Sequence, residues 1–294
     1  MSHGRLLISY AHPDDESFGL GGLIARYVER GVEVSLICAT NGDVGTVDPA
    51  LLNGYDSVAA LRLAELDAAA ELLKFTHVYK LGYRDSGMMG SETSRDPASL
   101  WMRWQTEPEV ITRRVVEVMR EVRPHVVITF NKYGGYGHPD HIAIQQATTQ
   151  AFYLAGDSAF LTGQPPYAPQ KLYYSGINAA TLRLGIWQMR LMGKDPRRLG
   201  RNQDIDLIRI LEHVEPAHAS INIRHYFDIW DAASACHKSQ LGGRSGFGLP
   251  NWARRILFPT QRFTRVHPAP AHNRIDETDL FANVRIEDPV AEMA

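Results

Sequence analysis

Cysteine is nearly absent: Cys38 and Cys236 are the only 2 in a chain of 294 residues. Their spacing matches neither a redox pair nor a zinc knuckle, which excludes a disulfide framework and a thiolate metal site, so each reads as a buried thiol. Charge of one sign is missing too. Lys and Arg number 31 against 33 Asp and Glu, a formal net charge of -2, which leaves no basic surplus for nucleic acid or an anionic membrane. No apolar run approaches the roughly 20 residues of a spanning helix, and the N-terminal MSHGRLLISYAH lacks the long apolar stretch of a signal peptide. Repeats and low-complexity blocks are also lacking. These absences predict a cytoplasmic protein with no membrane span whose partner is a small molecule.

What is present is alternation. RLLISY (5–10), VEVSLICAT (32–40), HVYKLG (77–82) and HVVITF (125–130) read as buried strands. Helical spacing covers 17–31, 57–73, 109–123 and 139–154, the pattern of βαβ units around a parallel sheet. Further on, KLYYSG (171–176) reads as a strand, HASINI (218–223) precedes a helix at 225–239, and 179–215 is mixed. The polar stretch between 83 and 108, GGRSGFGLPNWARR (242–255) and the tail from His267 read as loops. The expected fold is α/β, Rossmann-like, with a mostly parallel twisted sheet and helices on both faces. In such a sheet the parallel strands end on one edge, where ligands bind.

Two polar loops leave that edge. AHPDDE follows the first strand and NKYGGYGHPDH follows the strand at 125–130, so together they offer His12, Asp14, Asp15, Glu16, His138, Asp140 and His141. Three carboxylates crowded into one turn are tolerated where the turn is solvated or a cation sits among them. Two imidazoles and one carboxylate form a common catalytic zinc set with a position left open. The spare aspartate and histidine then supply the base and acid that metal-assisted amide or ester hydrolysis needs. Either loop alone is equally well explained as a turn or helix cap, and it is the pair at one edge that weakens that explanation. Glu16 reads simply as an acid in a first helical turn. His218, His225 and His237 read as surface or core residues, and GLGGL (19–23) lacks the G-x-G-x-x-G spacing of a dinucleotide site.

With these motifs the chain resembles the LmbE-like, or PIG-L, family of zinc-dependent deacetylases. Its hallmarks are AHPDDE and a later HPDH, and TNGDVGT (40–46), RLAELDAAAELL (62–73), LGYRDSGM (81–88), HKSQ (237–240) and ETDLFANV (277–284) resemble further family segments. The resemblance implies zinc ligands at His12, Asp15 and His141, with iron(II) accepted by the same donors. It implies a general base at Asp14, oxyanion stabilisation and amine protonation at His138, an orienting role for Asp140 and assistance from Tyr136. Arg62 and Asp85 would hold sugar hydroxyls, with Met88 in the same loop. NGD (41–43) stands where Arg-Gly-Glu is commoner, and 178–216 and NWARRILFPTQRFTR (251–265) have no counterpart, so substrate identity is expected to reside there.

The whole points to one domain over 1–294, with 1–155 as the metal-site core and 156–294 as a variable substrate-side and C-terminal part. The expected activity removes the N-acetyl group of an N-acetylglucosaminyl conjugate. Alternatives are an amidase acting on a thiol-sugar conjugate and a metal- or sugar-binding protein without turnover. A homo-oligomer is compatible with the chain.

Overall fold

A computed structural model describes residues 3–200, 202–241 and 250–286. The first half runs β1 (Arg5–Tyr10), α1 (Asp15–Glu29), β2 (Glu33–Thr40), α2 (Val58–Leu73), β3 (His77–Tyr83), α3 (Leu100–Thr106), α4 (Pro108–Val122) and β4 (Val126–Thr129). There follow α5 (Gly134–Gly137), α6 (Pro139–Leu154), β5 (Lys171–Gly176), α7 (Ala179–Leu191) and α8 (Leu207–Glu212). The chain then adds β6 (Ala219–Asn222), α9 (Phe227–Cys236), α10 (Lys238–Leu241), α11 (Asn251–Leu257) and β7 (Thr260–His267).

All seven strands join one sheet in the order β3-β2-β1-β4-β5-β7-β6, taking strands from both sides of residue 155. Pairing is parallel from β3 through β5, and β7 runs antiparallel to both its neighbours. The expected α/β sheet with helices on both faces is therefore present. Central strands are apolar almost throughout because helices cover both faces, and Leu6, Leu7, Ile8, Val126, Val127 and Ile128 are fully buried. Helices α1, α2 and α9 pack together, as do α3, α4 and α6. The chain steps outward from β1 to β3 and then returns to place β4 on the other side of β1. That reversal opens a crevice between the ends of β1 and β4, where such sheets bind ligands.

Several local expectations change. Helix α1 starts at Asp15, two residues before the predicted start, so Asp15 and Glu16 belong to its first turn. The predicted helix 225–239 is broken at His237 into α9 and α10. Strand β7 was not expected: TQRFTRVH is mostly polar, and only Phe263 and Thr264 are buried in it. The predicted loops contain α3 and, at 251–257, α11, while 242–249 and the tail from 287 lie outside the described residues. Cys38 is buried as expected, but Cys236, the last residue of α9, is only half-buried.

The C-terminal segment is tied to the sheet by a buried ion cluster. Glu277 accepts from Lys171 Nζ at 2.6 Å and from the Tyr173 hydroxyl at 2.5 Å, and pairs with Arg265 Nη1 at 2.9 Å. Breaking such a pair strands a charge in a poorly solvated place. Glu277→Ala is therefore expected to cost about 3–5 kcal/mol, read as a lower urea midpoint, whereas Glu277→Gln, which keeps an acceptor, should cost less.

Candidate active site

The two polar turns stand on either side of the β1/β4 crevice. In the first, His12 N–H donates to Asp15 Oδ2 at 2.7 Å and Asp15 N–H to His12 O at 3.3 Å, folding the carboxylate back beside the imidazole. In the second, His138 caps α6, its Nδ1 accepting from Asp140 N–H at 3.2 Å, and Pro139 opens the helix. Gly134 and Gly135 take φ of +64° and +71°, conformations a side chain would strain. A Cβ on Gly134 would also lie 2.9 Å from the Cβ of His141. The backbone thus reaches His141 Nδ1, which donates to Gly134 O at 3.0 Å. Phe130 stacks on the ring of His141 at 3.9 Å, and Tyr10 stacks on Phe130 at 4.2 Å, which holds the imidazole plane.

These contacts decide which ring nitrogens carry hydrogen. Nδ1 of His141 is committed to Gly134 O, so its Nε2 is bare. Nε2 of His12 faces Asp140 Oδ2 at 3.2 Å and Asp85 Oδ1 at 3.5 Å, so its Nδ1 is bare in the neutral ring. His12 Nδ1 and His141 Nε2 face one another at 3.0 Å, and Asp15 adds Oδ2 at 3.4 Å from the first and Oδ1 at 3.4 Å from the second. Such a set is satisfied by a proton on His12 Nδ1 or by a metal cation held among the three groups. A tetrahedral ion with zinc-like bonds holds its ligand atoms about 3.4 Å apart, so the donor set fits one. His12–His138–His141 and His12–Asp85–His138–Asp140 also gather within 4.8 Å. In these, however, His138 Nδ1 already accepts from Asp140 N–H, and Asp140 accepts from the hydroxyl and N–H of Ser86, the latter at 2.8 Å.

The titration of these groups follows from the same crowding. Burial opposes charge on His12, but Asp85, Asp140 and Asp15 around it more than offset that and raise its pKa well above the ordinary value. Burial works against the Asp15 carboxylate too, yet His141 and His12 draw its pKa well down. His138 and His141 are pushed down to about 3 and about 4, by burial first, with His12 adding repulsion in both and Asp15 opposing the fall in His141. The cluster therefore favours one positive charge at its centre and neutral imidazoles around it.

Asp14 lies beside this centre, not in it. Its Oδ2 accepts from Arg62 Nη2 at 3.0 Å, and burial raises its pKa to about 6 against the pull of Arg62. Arg62 is itself buried, donating to Pro13 O at 3.1 Å and Gly42 O at 3.0 Å, with Asp85 Oδ2 3.7 Å away. Asp43 accepts from Asp85 N–H at 2.9 Å, which gives the unusual NGD stretch a bracing duty. A cavity of about 600 Å³ opens over these groups; Asp14, Asp15, Arg62, Asp85, Met88 and Tyr136 are among its lining, with His12, His138 and His141. Asp140 sits behind it, fully buried. All ten residues singled out in the sequence thus meet at one crevice.

Some contributors fall in segments that the sequence marked without singling out the residues. Gly200, Asn202, Asp204 and Ile205 from the stretch without family counterpart line the cavity, as does Gln240 of HKSQ. Ser86 was legible only as part of a motif. Glu16 and His237, read as bland, form a buried pair at 2.9 Å behind the first turn.

A family model described as GlcNAc-PI de-N-acetylase, PIG-L, matches residues 7–152. The chain is 34% identical over 293 residues to the 1D-myo-inositol 2-acetamido-2-deoxy-alpha-D-glucopyranoside deacetylase of Streptomyces griseus, covering 95% of this chain and 89% of that protein. Among solved structures it is similar to the N,N'-diacetylchitobiose deacetylase of Pyrococcus horikoshii, with TM-score 0.58, 19% identity and coverage of 90% and 84%. It is also similar to the 4-carboxy-2-hydroxymuconate hydratase of Pseudomonas putida, with TM-score 0.57, 18% identity and coverage of 92% and 99%. At those identities the two structures establish the fold.

Gly42 connects this geometry to a test. Its φ is +65°, and a Cβ there would overlap the guanidinium of Arg62. Gly42→Ala is expected to lose about 1–3 kcal/mol of stability, read by denaturant unfolding, and to lower kcat/KM by displacing Arg62 from Asp14.

Proposed function

The chain belongs to the PIG-L family of de-N-acetylases, and on that premise we propose that it hydrolyses the acetamide of an N-acetylglucosaminyl conjugate whose aglycone is an inositol-like polyol. The observation that carries this reading is the pair of imidazole nitrogens facing each other at 3.0 Å beside the Asp15 carboxylate, with a second carboxylate, Asp14, held off the centre by Arg62. Holding an ion needs the first three groups; the fourth is surplus to binding and suits turnover.

In this reading His12, Asp15 and His141 hold the metal. Zinc is the proposed ion, and iron(II) suits the same donors. When bound, a divalent ion supplies Lewis acidity to the acetamide carbonyl and makes water nucleophilic near neutral pH. Asp14 takes a proton from the attacking water through the oxygen that Arg62 leaves free. The water oxygen bonds to the carbonyl carbon, and negative charge collects on the carbonyl oxygen. His138 presents Nε2–H there, because its Nδ1 is occupied by Asp140 N–H, and so stabilises the developing charge as a neutral donor. Tyr136, whose hydroxyl burial keeps protonated, packs edge-on against His141 with centroids 5.0 Å apart and is a second donor. Asp14 then returns its proton to the nitrogen as the C–N bond breaks, releasing acetate and the amine; this moves to Asp14 the amine protonation expected of His138, which burial keeps neutral.

Arg62 and Asp85 are assigned to sugar hydroxyls and Met88 to an apolar wall of the same subsite. The polyol is assigned to the outer cavity, where Thr46, Asn202, Asp204 and Gln240 offer hydroxyl-binding groups. No helix among the described residues is long and apolar enough to cross a membrane.

The reading is tested by supplying N-acetylglucosaminides with varied aglycones and measuring acetate and free amine. Equimolar release of both, fastest with a polyol aglycone, is expected; cleavage of larger acyl groups without acetate release would replace it with the amidase. Asp14→Ala should keep a full complement of metal by elemental analysis while kcat falls about 10²–10⁴-fold, and full activity in it would overturn the mechanism. His12→Ala should lose the metal itself, and a stoichiometric ion there would show the ligand set to be wrong.

A further inference from the structure

Glu16 is fully buried, and so is His237, although the reaction as derived uses neither. A carboxylate removed from water persists only if several donors reach it. Glu16 has three: Ser17 Oγ donates to Oε1 at 2.6 Å, His237 Nε2 to Oε1 at 2.9 Å, and the backbone N–H of Asp14 to Oε2 at 3.1 Å. The last of these is informative because of where Asp14 sits. Its φ is 147° and ψ -25°, a conformation that a residue with a Cβ holds only when its surroundings impose it.

We propose that Glu16 is a positioning residue for the reaction: it grips the Asp14 amide, holds Asp14 in its strained conformation, and so aims the Asp14 carboxylate, with His237 as the brace that fixes Glu16. The inference rests on the reading of Asp14 as the base. The two ends of Asp14 are then held from opposite sides. Its amide is pulled toward the buried pair, and its Oδ2 is drawn to Arg62 Nη2 at 3.0 Å, which leaves the carboxylate little freedom to swing onto the metal centre. An Asp14 relaxed to ordinary φ would move its side chain relative to Asp15, and a shift of that kind costs rate without removing any reacting group.

The brace comes from far along the chain. His237 lies at the junction of α9 and α10, 221 residues from Glu16, and the next turn continues the attachment. Ser239 donates its N–H and hydroxyl to Glu65 on α2 at 2.8 and 2.6 Å, and Gln240 reaches the cavity wall. Trp230 Nε1 donates to Ser17 O at 2.6 Å, so the turn bearing Glu16 is clamped on both sides by α9 and its end. HKSQ in this account positions the base and touches no reacting atom.

The test is a double-mutant cycle on the metal-loaded enzyme. Glu16→Leu keeps the volume and removes the acceptor, whereas Glu16→Gln keeps an acceptor for the Asp14 amide. We expect Glu16→Leu to lower kcat about 100-fold, with KM and metal content unchanged, and Glu16→Gln to restore kcat to within about 5-fold of the parent. In an Asp14→Ala background Glu16→Leu should change the residual rate by less than about 3-fold, because the residue it positions is gone. An equal loss in both backgrounds, or loss of metal from Glu16→Leu, would overturn the proposal. His237→Asn probes the brace from the far side and remains informative if Glu16→Leu does not fold; it should lower kcat about 10-fold only when Asp14 is present. Full activity of Asp14→Ala would instead refute the base assignment, a result distinct from either failure.

Discussion

His12 Nδ1 and His141 Nε2, from turns 129 residues apart, face one another at 3.0 Å with a carboxylate alongside. Two lone pairs at that distance repel, so a positive charge, whether a proton or a metal ion, makes the arrangement favourable, and the structure around them has to supply the force that holds the groups there. Burial raises the stakes, because a low-dielectric crevice strengthens the attraction for a central positive charge as much as the repulsion without it. The surrounding hydrogen bonds then become intelligible. Gly134 O occupies one nitrogen of His141, Asp140 occupies one nitrogen of His12, and the amide of Asp140 occupies one nitrogen of His138. Each bond occupies one ring nitrogen and leaves the other to face the crevice, which is how such contacts orient imidazoles at a metal site.

The scaffold supplies that force through elements that cannot easily yield. Four neighbouring strands are buried on both faces, and the crevice lies where strand order reverses, so its walls are the ends of two packed strands and the starts of two helices. A helix start is useful here because its free N–H groups donate to a capping side chain, as Asp140 N–H of α6 does to His138 Nδ1. The turn that leads into α1 carries Asp14 at φ 147°, with its amide bound by Glu16 and its carboxylate by Arg62.

A fold of this kind does not choose a reaction. Its solved neighbours include a deacetylase and a hydratase at almost equal TM-scores, so the reaction lives in the side chains at the crevice. In this chain the distinguishing group is Asp14, kept apart from the clustered His12, Asp15 and His141 by Arg62, and Gly200, Asn202, Asp204 and Ile205 add to the cavity wall.

Much of this could be read from residues in order. Apolar runs with helical spacing between them specify a parallel α/β sheet because both faces of its strands must be covered. AHPDDE and HPDH, each following a strand, put their polar groups on one edge because parallel strands end together. Which of two adjacent aspartates faces the imidazoles was named by the family resemblance and not by residue order; in the fold it follows from the backbone angles at Asp14 and the reach of Arg62, 48 residues away. Nor could residue order reveal β7, whose polar residues acquire strand geometry only by pairing with β5 and β6. Glu16 and His237 look like an ordinary helix acid and an ordinary histidine until α9 returns to α1 and buries them against each other. Local sequence determines element type through nearest-neighbour preferences, whereas a buried charge takes its partner from wherever tertiary packing brings a donor within reach.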